Sequence, residues 1–305
     1  MKEPKIRIFV THTPNRVSQK IILPIFEHVL AGADLQEGET TLVKDNTGDH
    51  ISGRNPSYCE LTTQYWAWKN TAYDYYGFCH YRRYFSFNDK KLEESPWGTV
   101  EYPYISARAV KELQTDEATI RNKVTQYDFL IAKGIPVRQL GAGSVREHYE
   151  NAPELQVKDF DIMMETVRQK YPEIYPSAVE YAEGTRSYPC NMFIMKKELF
   201  DEYSKFLFDV LDECERKIDT SLYCVQSLRT IGHLAERLLG IYYTYLKKQG
   251  GYRLGELQIA LFKNTDPVEA VIPSDKKAVP VVLAANDYYA PILCTCLESI
   301  REHIS

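Results

Sequence analysis

The chain has 305 residues, with 37 basic and 42 acidic side chains and a formal net charge of −5. Its hydrophobic content of 44% supports a large core, which excludes collagen-like, coiled-coil and globally disordered chains. The mild acidity argues against a nucleic-acid partner, since phosphate backbones are bound by basic faces. No window approaches the roughly 18 apolar residues of a membrane span, and the first residues lack the pattern of a signal peptide.

The cysteines and tyrosines give information on the cellular compartment and on the class of ligand. The seven cysteines are scattered and show no Cys-x-x-Cys pair, so reduced thiols in a cytoplasmic protein are the simplest interpretation. The 23 tyrosines supply most of the aromatic content. Amphipathic rings of this kind bind flat polar ligands such as sugars, but they also pack in cores with a hydroxyl reaching water. The sequence leaves both roles open.

Hydrophobic periodicity predicts strands and helices that alternate along most of the chain. Strands are predicted at 6–10, 75–85, 127–132, 188–195 and 250–263. Helices are predicted at 19–31, 60–70, 108–113, 145–170 (with a break near Pro153), 198–217 and 227–249. Residues 41–55 are polar and rich in turn formers, which indicates a loop. A first strand followed by a helix is typical of α/β nucleotide-binding domains.

The composition changes near the C-terminus. Residues 264–278 are rich in Pro, Asp and Lys and resemble a linker. Residues 279–305 then predict one further strand and helix, which cannot bury their apolar faces alone. We therefore expect one domain over 1–263, a linker over 264–278, and over 279–305 the truncated start of a second domain of a longer protein.

The heptapeptide CHYRRYF (79–85) lies at or just past the carboxyl end of a predicted strand, where open α/β sheets bind ligands. Arg82 and Arg83 present forks of donors that suit a diphosphate. Strand alternation predicts His80 and Arg82 on one face, with Tyr81 and Arg83 on the other. The alternative is a strand edge whose arginines pair with surface carboxylates.

Other polar groups are candidates for ligand contact. Lys44, Asp45 and Asn46 lie in a loop that could hold a uracil, a ribose or a metal, although ordinary polar turns look the same. Glu60 begins the next predicted helix, and its role stays undecided. Asn191 lies in a predicted apolar strand, so its amide must bond either to the fold or to ligand hydroxyls.

The segment GHLAERL (232–238) begins a long predicted helix and carries His233, Glu236 and Arg237. His233 and Glu236 are three residues apart and share a face. A carboxylate at this position can act as a general base towards a hydroxyl. Alternatively, Glu236 only complements the helix dipole.

Several common motifs are missing from the sequence. It has no P-loop, no GxGxxG after the first strand, no GxSxG and no HExxH. It also lacks an Asp-x-Asp pair at the end of an apolar strand within 1–263, because Asp159-Phe-Asp161 lies in helical context. An Asp-x-Asp pair at a strand end can hold a divalent metal such as Mn²⁺ or Mg²⁺. In this sequence His80–Arg82 lies at such a strand end, so we predict that arginine charge replaces the metal.

Four ordered segments carry a family resemblance: NPSYCELTTQYWAWKN, YYGFCHYRRYF, YPCNMFIMKKELFDEYSKFLFDVL and GHLAERLLGIYYTYL. Over residues 4–263 the chain resembles the capsular-polysaccharide glycosyltransferase domain of glycosyltransferase family 111, formerly domain of unknown function 4422. The tail VPVVLAANDYYAPILCTCLESI resembles the first strand and helix of a glycosyltransferase family 8 domain. The resemblance implies a GT-A-like α/β domain with a mostly parallel central sheet flanked by helices.

The same resemblance implies an inverting galactofuranosyltransferase of bacterial capsule or O-antigen biosynthesis, with UDP-galactofuranose as donor and a lipid-linked glycan as acceptor. Such an enzyme works in the cytoplasm at the inner membrane face. No strong basic amphipathic helix would attach it there, which leaves attachment and oligomerisation to a missing C-terminal part or a partner. The alternatives are a UDP-galactopyranose or UDP-glucose transferase, a non-catalytic glycan-binding module, and a docking domain.

For this reaction the expected roles are as follows. Glu236, or His233 in its place, accepts the proton of the acceptor hydroxyl, and Asn191 contacts a sugar. The charge developing on UDP is stabilised by Arg82, Arg83 and His80. The remaining predicted substrate-binding residues are Thr11, Lys44, Asp45, Asn46, Glu60 and Arg237.

Overall fold

Strands and helices alternate through the part of the chain that the computed structural model describes, residues 3–13, 18–266 and Leu297. The strands are β1 (Ile6–His12), β2 (Phe26–Leu30), β3 (Val43–Lys44), β4 (Tyr75–His80), β5 (Arg83–Phe85), β6 (Thr99–Tyr104), β7 (Phe129–Ala132), β8 (Ile135–Pro136), β9 (Arg186–Ser187), β10 (Phe193–Lys196), β11 (Leu254–Leu257) and β12 (Ile259–Asn264). The helices are α1 (Asn55–Tyr58), α2 (Leu61–Asn70), α3 (Ala107–Glu112), α4 (Glu117–Thr125), α5 (Val145–Glu150), α6 (Val157–Lys170), α7 (Tyr175–Glu183), α8 (Lys197–Lys217) and α9 (Thr230–Gln249).

The chain divides into two compact units, Met1–Pro267 and Val268–Ser305. The strand and helix predicted within 279–305 lie outside the described residues, Leu297 excepted, as does most of the predicted linker. Within the described residues, no helix is both long and apolar enough to cross a bilayer.

The main sheet has the strand order β11-β7-β10-β4-β1-β2-β3, and every strand except β10 runs in the same direction. Side-chain alternation sends neighbouring strand residues to opposite faces. Phe9 and Phe78 join a core with α2 and α6–α9, whereas Val10 and Cys79 join a second core with α3 and α4. Helices therefore cover both faces, which confirms the predicted mostly parallel α/β fold.

A smaller ladder extends from the main sheet beside β4. The strand β5 returns antiparallel to β4 and pairs with β12, which in turn lies parallel to β6. The turn between β4 and β5 contains Tyr81 and Arg82. The predicted single strand over 75–85 is therefore a hairpin, and the arginines lie at and just after its tip.

Three other predicted elements differ from the structure. The helix predicted at 19–31 is wrong: Pro24 lies within it, and Phe26–Leu30 instead forms β2 beside β1. The strand predicted at 188–195 starts only at Phe193, because Cys190 and Asn191 have φ of 76° and 46°. The strand predicted at 250–263 is two strands, β11 and β12, which join different neighbours.

Phe193 tests the packing at the centre of the sheet. Its ring is fully buried and lies 5.1 Å from the ring of Phe78 and 5.5 Å from that of Tyr203. Phe193→Ala is expected to lower the free energy of unfolding by about 3–5 kcal/mol, measured by urea denaturation. The matched change Trp97→Ala removes a ring that is 64% exposed and should cost less than about 1 kcal/mol. Equal losses would contradict this assignment of the core.

Candidate functional site

Parallel strands bring their carboxyl ends to one edge of the sheet, and a cleft of about 330 Å³ opens there. At this edge β1 ends in Thr11 and His12, β3 ends in Lys44, and β4 ends in His80. The cleft is lined by Thr11, Thr13, Ala31, Asn55, Pro56, Cys59, Glu60, His80, Tyr81, Arg82 and Arg229. Four predicted site residues, Thr11, Glu60, His80 and Arg82, are therefore brought together.

The prediction that His80 and Arg82 share one face of a strand is wrong, because β4 and β5 form a hairpin. His80 lies directly opposite Arg83 in the antiparallel pair, so these two side chains share a face and the simple alternation through 79–85 fails. Arg82, in the turn, lines the cleft. Burial raises the pKa of the Cys190 thiol to about 12, and the charge of Arg83, which lies nearby, opposes that rise.

His80 cannot supply positive charge at neutral pH. Burial, followed by the nearby charges of Arg83 and Arg82, holds its pKa well below the usual range. A neutral imidazole has one donor and one acceptor nitrogen. The cationic charge of the cleft therefore comes from arginine, and His80 can contribute a hydrogen bond only.

Glu60 is the carboxylate that lines the cleft. It precedes α2, and its Oε1 accepts a hydrogen bond of 2.8 Å from Asn191 Nδ2. Burial raises the pKa of Glu60, and the Glu236 carboxylate raises it further, while the bond from Asn191 lowers it. A carboxylate with a raised pKa beside a cleft has the properties of a general base or acid.

Asn191 supports Glu60 from behind the cleft. The side chain is 3% exposed, and Nδ2 also donates to the carbonyl oxygen of Gly232 in α9, at 3.1 Å. These bonds connect the start of β10 with α2 and α9. The sequence left open whether Asn191 bonds to the fold or to a ligand: the fold uses its Nδ2, whereas its Oδ1 has no hydrogen-bond partner within the described chain.

The backbone is strained around the same cleft. Four non-glycine residues in the described part of the chain have positive φ, and three of them are Cys59, Cys190 and Asn191. Such conformations cost roughly 1–3 kcal/mol each and cluster at functional sites. Here they turn the chain so that Glu60 and Asn191 face one another.

Arg229 gives the cleft a second guanidinium that the sequence analysis missed. It immediately precedes α9, and its Nε donates to Cys59 Sγ at 3.3 Å. Burial raises the pKa of that thiol to about 11, so Cys59 is a neutral thiol rather than a nucleophile. The sequence signal for Arg229 was its place at the start of the helix that carries the predicted His233 and Glu236.

The predicted catalytic pair lies on the first turns of α9. Glu236 Oε2 accepts a hydrogen bond of 2.8 Å from Arg237 Nη1, and its side chain is 22% exposed. Arg237 is buried, with its guanidinium 5.1 Å from the ring centre of Tyr149. Burial lowers the pKa of His233, although Glu236 opposes that change. None of these three residues lines the cleft, but Glu236 is near enough for its charge to raise the pKa of Glu60.

The loop after β3 has a structural role at Asp45. This carboxylate is fully buried and accepts bonds from the backbone N–H groups of Gly32 and Ala33, at 2.9 and 3.0 Å, and from Ser52 Oγ at 2.5 Å. With both oxygens bonded within the fold, Asp45 is not placed to contact a nucleotide, which corrects that prediction. Asn46 Nδ2 donates to Asp34 at 3.0 Å, and Lys44 remains at the sheet edge.

Unsatisfied polar atoms converge behind the cleft. Thr11 Oγ1, His80 Nδ1 and Asn191 Oδ1 are buried and have no hydrogen-bond partner within the described chain. All three residues line a small internal cavity of about 10 Å³ that also contacts Glu60. Buried polar groups are normally hydrogen-bonded, so these atoms mark a region built for polar contact. Among the described residues, no group of three or more His, Cys, Asp or Glu is arranged to hold a metal ion.

A histidine pair beside this edge predicts sensitivity to acid. His28 Nε2 donates to the carbonyl of Ile21 at 3.1 Å, so its Nδ1 accepts from His12 Nε2 at 2.9 Å. Burial, with the neighbouring His28 and Lys20, lowers the pKa of His12 to about 3. In the unfolded chain His12 therefore binds a proton near pH 6.5, whereas in the folded chain it stays neutral at that pH.

The contribution of His12 to stability should accordingly be constant above about pH 7 and fall as the pH drops below 6.5, by up to about 1.4 kcal/mol per pH unit. Urea denaturation between pH 7 and 5 measures this slope. The variant His12→Gln should show a shallower slope than the parent protein. Identical slopes would show that His12 is protonated in the folded state.

The family model described as "Domain of unknown function (DUF4422)" matches residues 5–249, which confirms the family resemblance of the four motifs. The solved structure "WbbM bifunctional glycosytransferase apo structure" is 35% identical, with a TM-score of 0.82, over 93% of this chain and 50% of that chain. The chain thus spans about half the length of that structure. No curated protein sequence matches it. The chain belongs to the DUF4422 family.

Proposed function

We propose that the chain is a glycosyltransferase that transfers a hexosyl unit, galactofuranose in the first instance, from a UDP-sugar to a glycan acceptor. The observation that carries this proposal is the cleft at the carboxyl edge of the sheet, which is lined by Arg82, Arg229 and Glu60 together. Two guanidinium groups suit a diphosphate leaving group, and a half-buried carboxylate with a raised pKa suits deprotonation of a hydroxyl. Similarity to a bifunctional glycosyltransferase supports the reaction class.

The reaction is a direct displacement at the anomeric carbon. As the acceptor oxygen forms its bond to that carbon, its proton passes to a carboxylate, and the bond from carbon to the phosphate oxygen breaks. UDP leaves with the electron pair, and Arg82 and Arg229 stabilise its growing negative charge, with Arg83 nearby. One displacement inverts the anomeric configuration.

Glu60 is our first candidate for the base, and Glu236 is the second. Glu60 lines the cleft and has a raised pKa, whereas the Glu236 carboxylate is paired with Arg237 outside the lining residues. Asn191 holds one oxygen of Glu60, which leaves the other oxygen for the reacting hydroxyl. His233 remains an alternative only if the acceptor reaches α9.

Product formation tests the proposed activity. The purified chain is incubated with UDP-galactofuranose and octyl galactoside as a probe acceptor, while UDP release and the anomeric configuration of the product are followed by NMR. We expect acceptor-dependent UDP release and an inverted linkage. Parallel reactions with UDP-galactopyranose and UDP-glucose identify the donor. Binding of the galactoside without turnover of any donor would instead indicate a glycan-binding module.

We further propose that this transfer occurs in the bacterial cytoplasm, on a lipid-linked acceptor of capsule or O-antigen biosynthesis. We also propose that residues 1–263 form the transferase domain, joined through a linker over 264–278 to the start of a second glycosyltransferase domain. The structure similar to this chain belongs to a protein of about twice the matched length, which supports a longer arrangement.

A further inference from the structure

A small cavity lies behind the cleft at the carboxyl edge of the sheet. Its volume is about 10 Å³, which is room for a single water-sized oxygen atom. Three residues, Thr11, Glu60 and His80, line both the cavity and the cleft. The cavity therefore adjoins the cleft and is placed to receive one small group of a ligand bound there.

The walls of this cavity carry polar atoms that the fold leaves unpaired. Thr11 Oγ1, His80 Nδ1 and Asn191 Oδ1 are buried and have no hydrogen-bond partner among the described residues. Thr11 and Asn191 are each only 3% exposed. Native proteins rarely leave one such atom without a partner, and here three belong to residues around the same cavity. Their convergence indicates a site for a polar group.

The hydrogen-bonding capacity of these atoms restricts what the cavity can hold. Asn191 Nδ2 donates to Glu60 Oε1 at 2.8 Å and to the carbonyl oxygen of Gly232 at 3.1 Å. A backbone carbonyl can only accept, which fixes the orientation of the amide, so the unpaired Oδ1 requires a donor. Burial and the nearby Arg83 keep the pKa of His80 low and its ring neutral. The Thr11 hydroxyl can donate, and so can Nδ1 of His80 in one tautomer.

A hydroxyl group fits this set of partners. It has one hydrogen to donate to Asn191 Oδ1 and two lone pairs to accept from Thr11 and His80. A phosphate oxygen or a carbonyl has no hydrogen for Asn191, and an ammonium group would add positive charge beside Arg82 and Arg83. A water molecule also fits, and a ligand hydroxyl would take its place. Of these two occupants, only the ligand hydroxyl makes turnover depend on the structure of the substrate.

We propose that this cavity, which we call the hydroxyl pocket, receives one hydroxyl group of the UDP-sugar and makes that group a requirement for efficient transfer. The hydroxyl donates to Asn191 Oδ1 and accepts from Thr11 and His80. Its source is the ribose of UDP or the donor sugar, which offer the same chemistry. This inference rests on the proposed function and adds to it the feature of the substrate that the site selects.

The hydroxyl pocket also connects substrate recognition with the proposed base. The amide of Asn191 accepts the substrate hydroxyl through Oδ1 and holds Glu60 through Nδ2. A substrate that lacks the hydroxyl leaves buried polar atoms unpaired and leaves this amide less firmly placed. Sites built to bind a hydroxyl can reject analogues without it by about 10⁴-fold, and we expect discrimination of at least about 100-fold here.

Deoxy analogues identify the hydroxyl and its source. Calorimetry compares UDP with 2′-deoxy-UDP and 3′-deoxy-UDP, and rates of UDP release compare UDP-galactofuranose with its monodeoxy analogues. If the ribose supplies the hydroxyl, one deoxy-UDP should bind at least about 100-fold more weakly than UDP. If the donor sugar supplies it, the nucleotides should bind alike, and one deoxy donor should have a kcat/KM that is lower by the same factor.

The variant Thr11→Val removes one hydroxyl from the wall and keeps the shape of the side chain. Because Thr11 Oγ1 has no partner within the described chain, the melting temperature should stay the same or rise. The preference for the hydroxyl-bearing substrate should fall by about tenfold. The matched control is Thr63→Val on α2, because Thr63 is also buried with an unpaired hydroxyl but lines neither the cleft nor the hydroxyl pocket. This control should keep the full preference of the parent protein.

The hydroxyl pocket is overturned, with the proposed function intact, if the parent protein transfers the sugar but accepts every deoxy analogue equally well. It is also overturned if Thr11→Val keeps the full preference, or if it lowers the melting temperature more than Thr63→Val does, since the hydroxyl would then serve the fold. A crystal structure with UDP-galactofuranose that shows water retained in the pocket would have the same meaning. Absence of both UDP binding and transfer would instead contradict the proposed function, and the hydroxyl pocket with it.

Discussion

Replacing Glu60 by Gln is expected to slow sugar transfer by about 10²–10⁴-fold while leaving UDP affinity unchanged. The substitution keeps a carbonyl oxygen in place to accept the bond of 2.8 Å from Asn191 Nδ2, so the geometry around the cleft should persist. What it removes is the group that accepts the proton of the acceptor hydroxyl. Steady-state rates of UDP release, together with calorimetric titration of UDP, measure the two effects separately.

The matched control is Glu236→Gln, which alters the other carboxylate of the region. If Glu60 is the base, the Glu236 variant should retain most of its activity. The pH dependence gives a second check: burial raises the pKa of Glu60, so the rate of the parent protein should decline as the pH falls through a value above 4.5. Loss of activity in the Glu236 variant alone would transfer the role of base to Glu236.

Replacing Arg82 by Ala is expected to weaken UDP binding by about 10- to 100-fold, because a hydrogen bond to a charged phosphate contributes about 1.5–3 kcal/mol. Arg229→Ala should have an effect of similar size, since both guanidinium groups line the cleft. The double variant Arg82→Ala with Arg229→Ala shows whether the two guanidinium groups bind the same ligand. Effects that exceed or fall short of the sum would indicate coupling through a shared phosphate group.

A surface arginine provides the control for these variants. Arg168 lies on α6 and pairs with Glu165 on the same helix, at 2.6 Å. Arg168→Ala changes the net charge by the same amount and should leave UDP affinity unchanged. An equal loss in all three variants would indicate a general charge effect and contradict a local diphosphate site.

Much of the fold could be predicted because a long apolar pattern is compatible with few secondary structures. The buried run over 127–132 contains β7, and the stripes of 198–217 and 227–249 form α8 and α9. The N-terminal helix prediction failed because Ile22, Ile25, Phe26 and Leu30 fit helical spacing by chance. In the structure Ile22 is 76% exposed, and the pairing of β2 with β1 decides the conformation. Sheet pairing is a tertiary effect that local periodicity does not contain.

The candidate site was predictable where it follows from strand order. Thr11 and His80 end adjacent parallel strands, so the rule that ligands bind at carboxyl ends brings them together. Arg229 and Cys59 come from helix ends that are distant in sequence, and no spacing connects them. Asp45 was assigned to a ligand because a polar loop does not reveal which of its carboxylates cap backbone N–H groups.

Calorimetric titration of the purified chain with UDP, repeated with EDTA and with Mn²⁺, tests the central claim most directly. If Arg82 and Arg229 hold the diphosphate, binding should be saturable and the same in the presence of EDTA. Binding that requires Mn²⁺ would contradict a diphosphate held by arginine. No binding under any of these conditions would contradict the assignment of the cleft to a UDP-sugar.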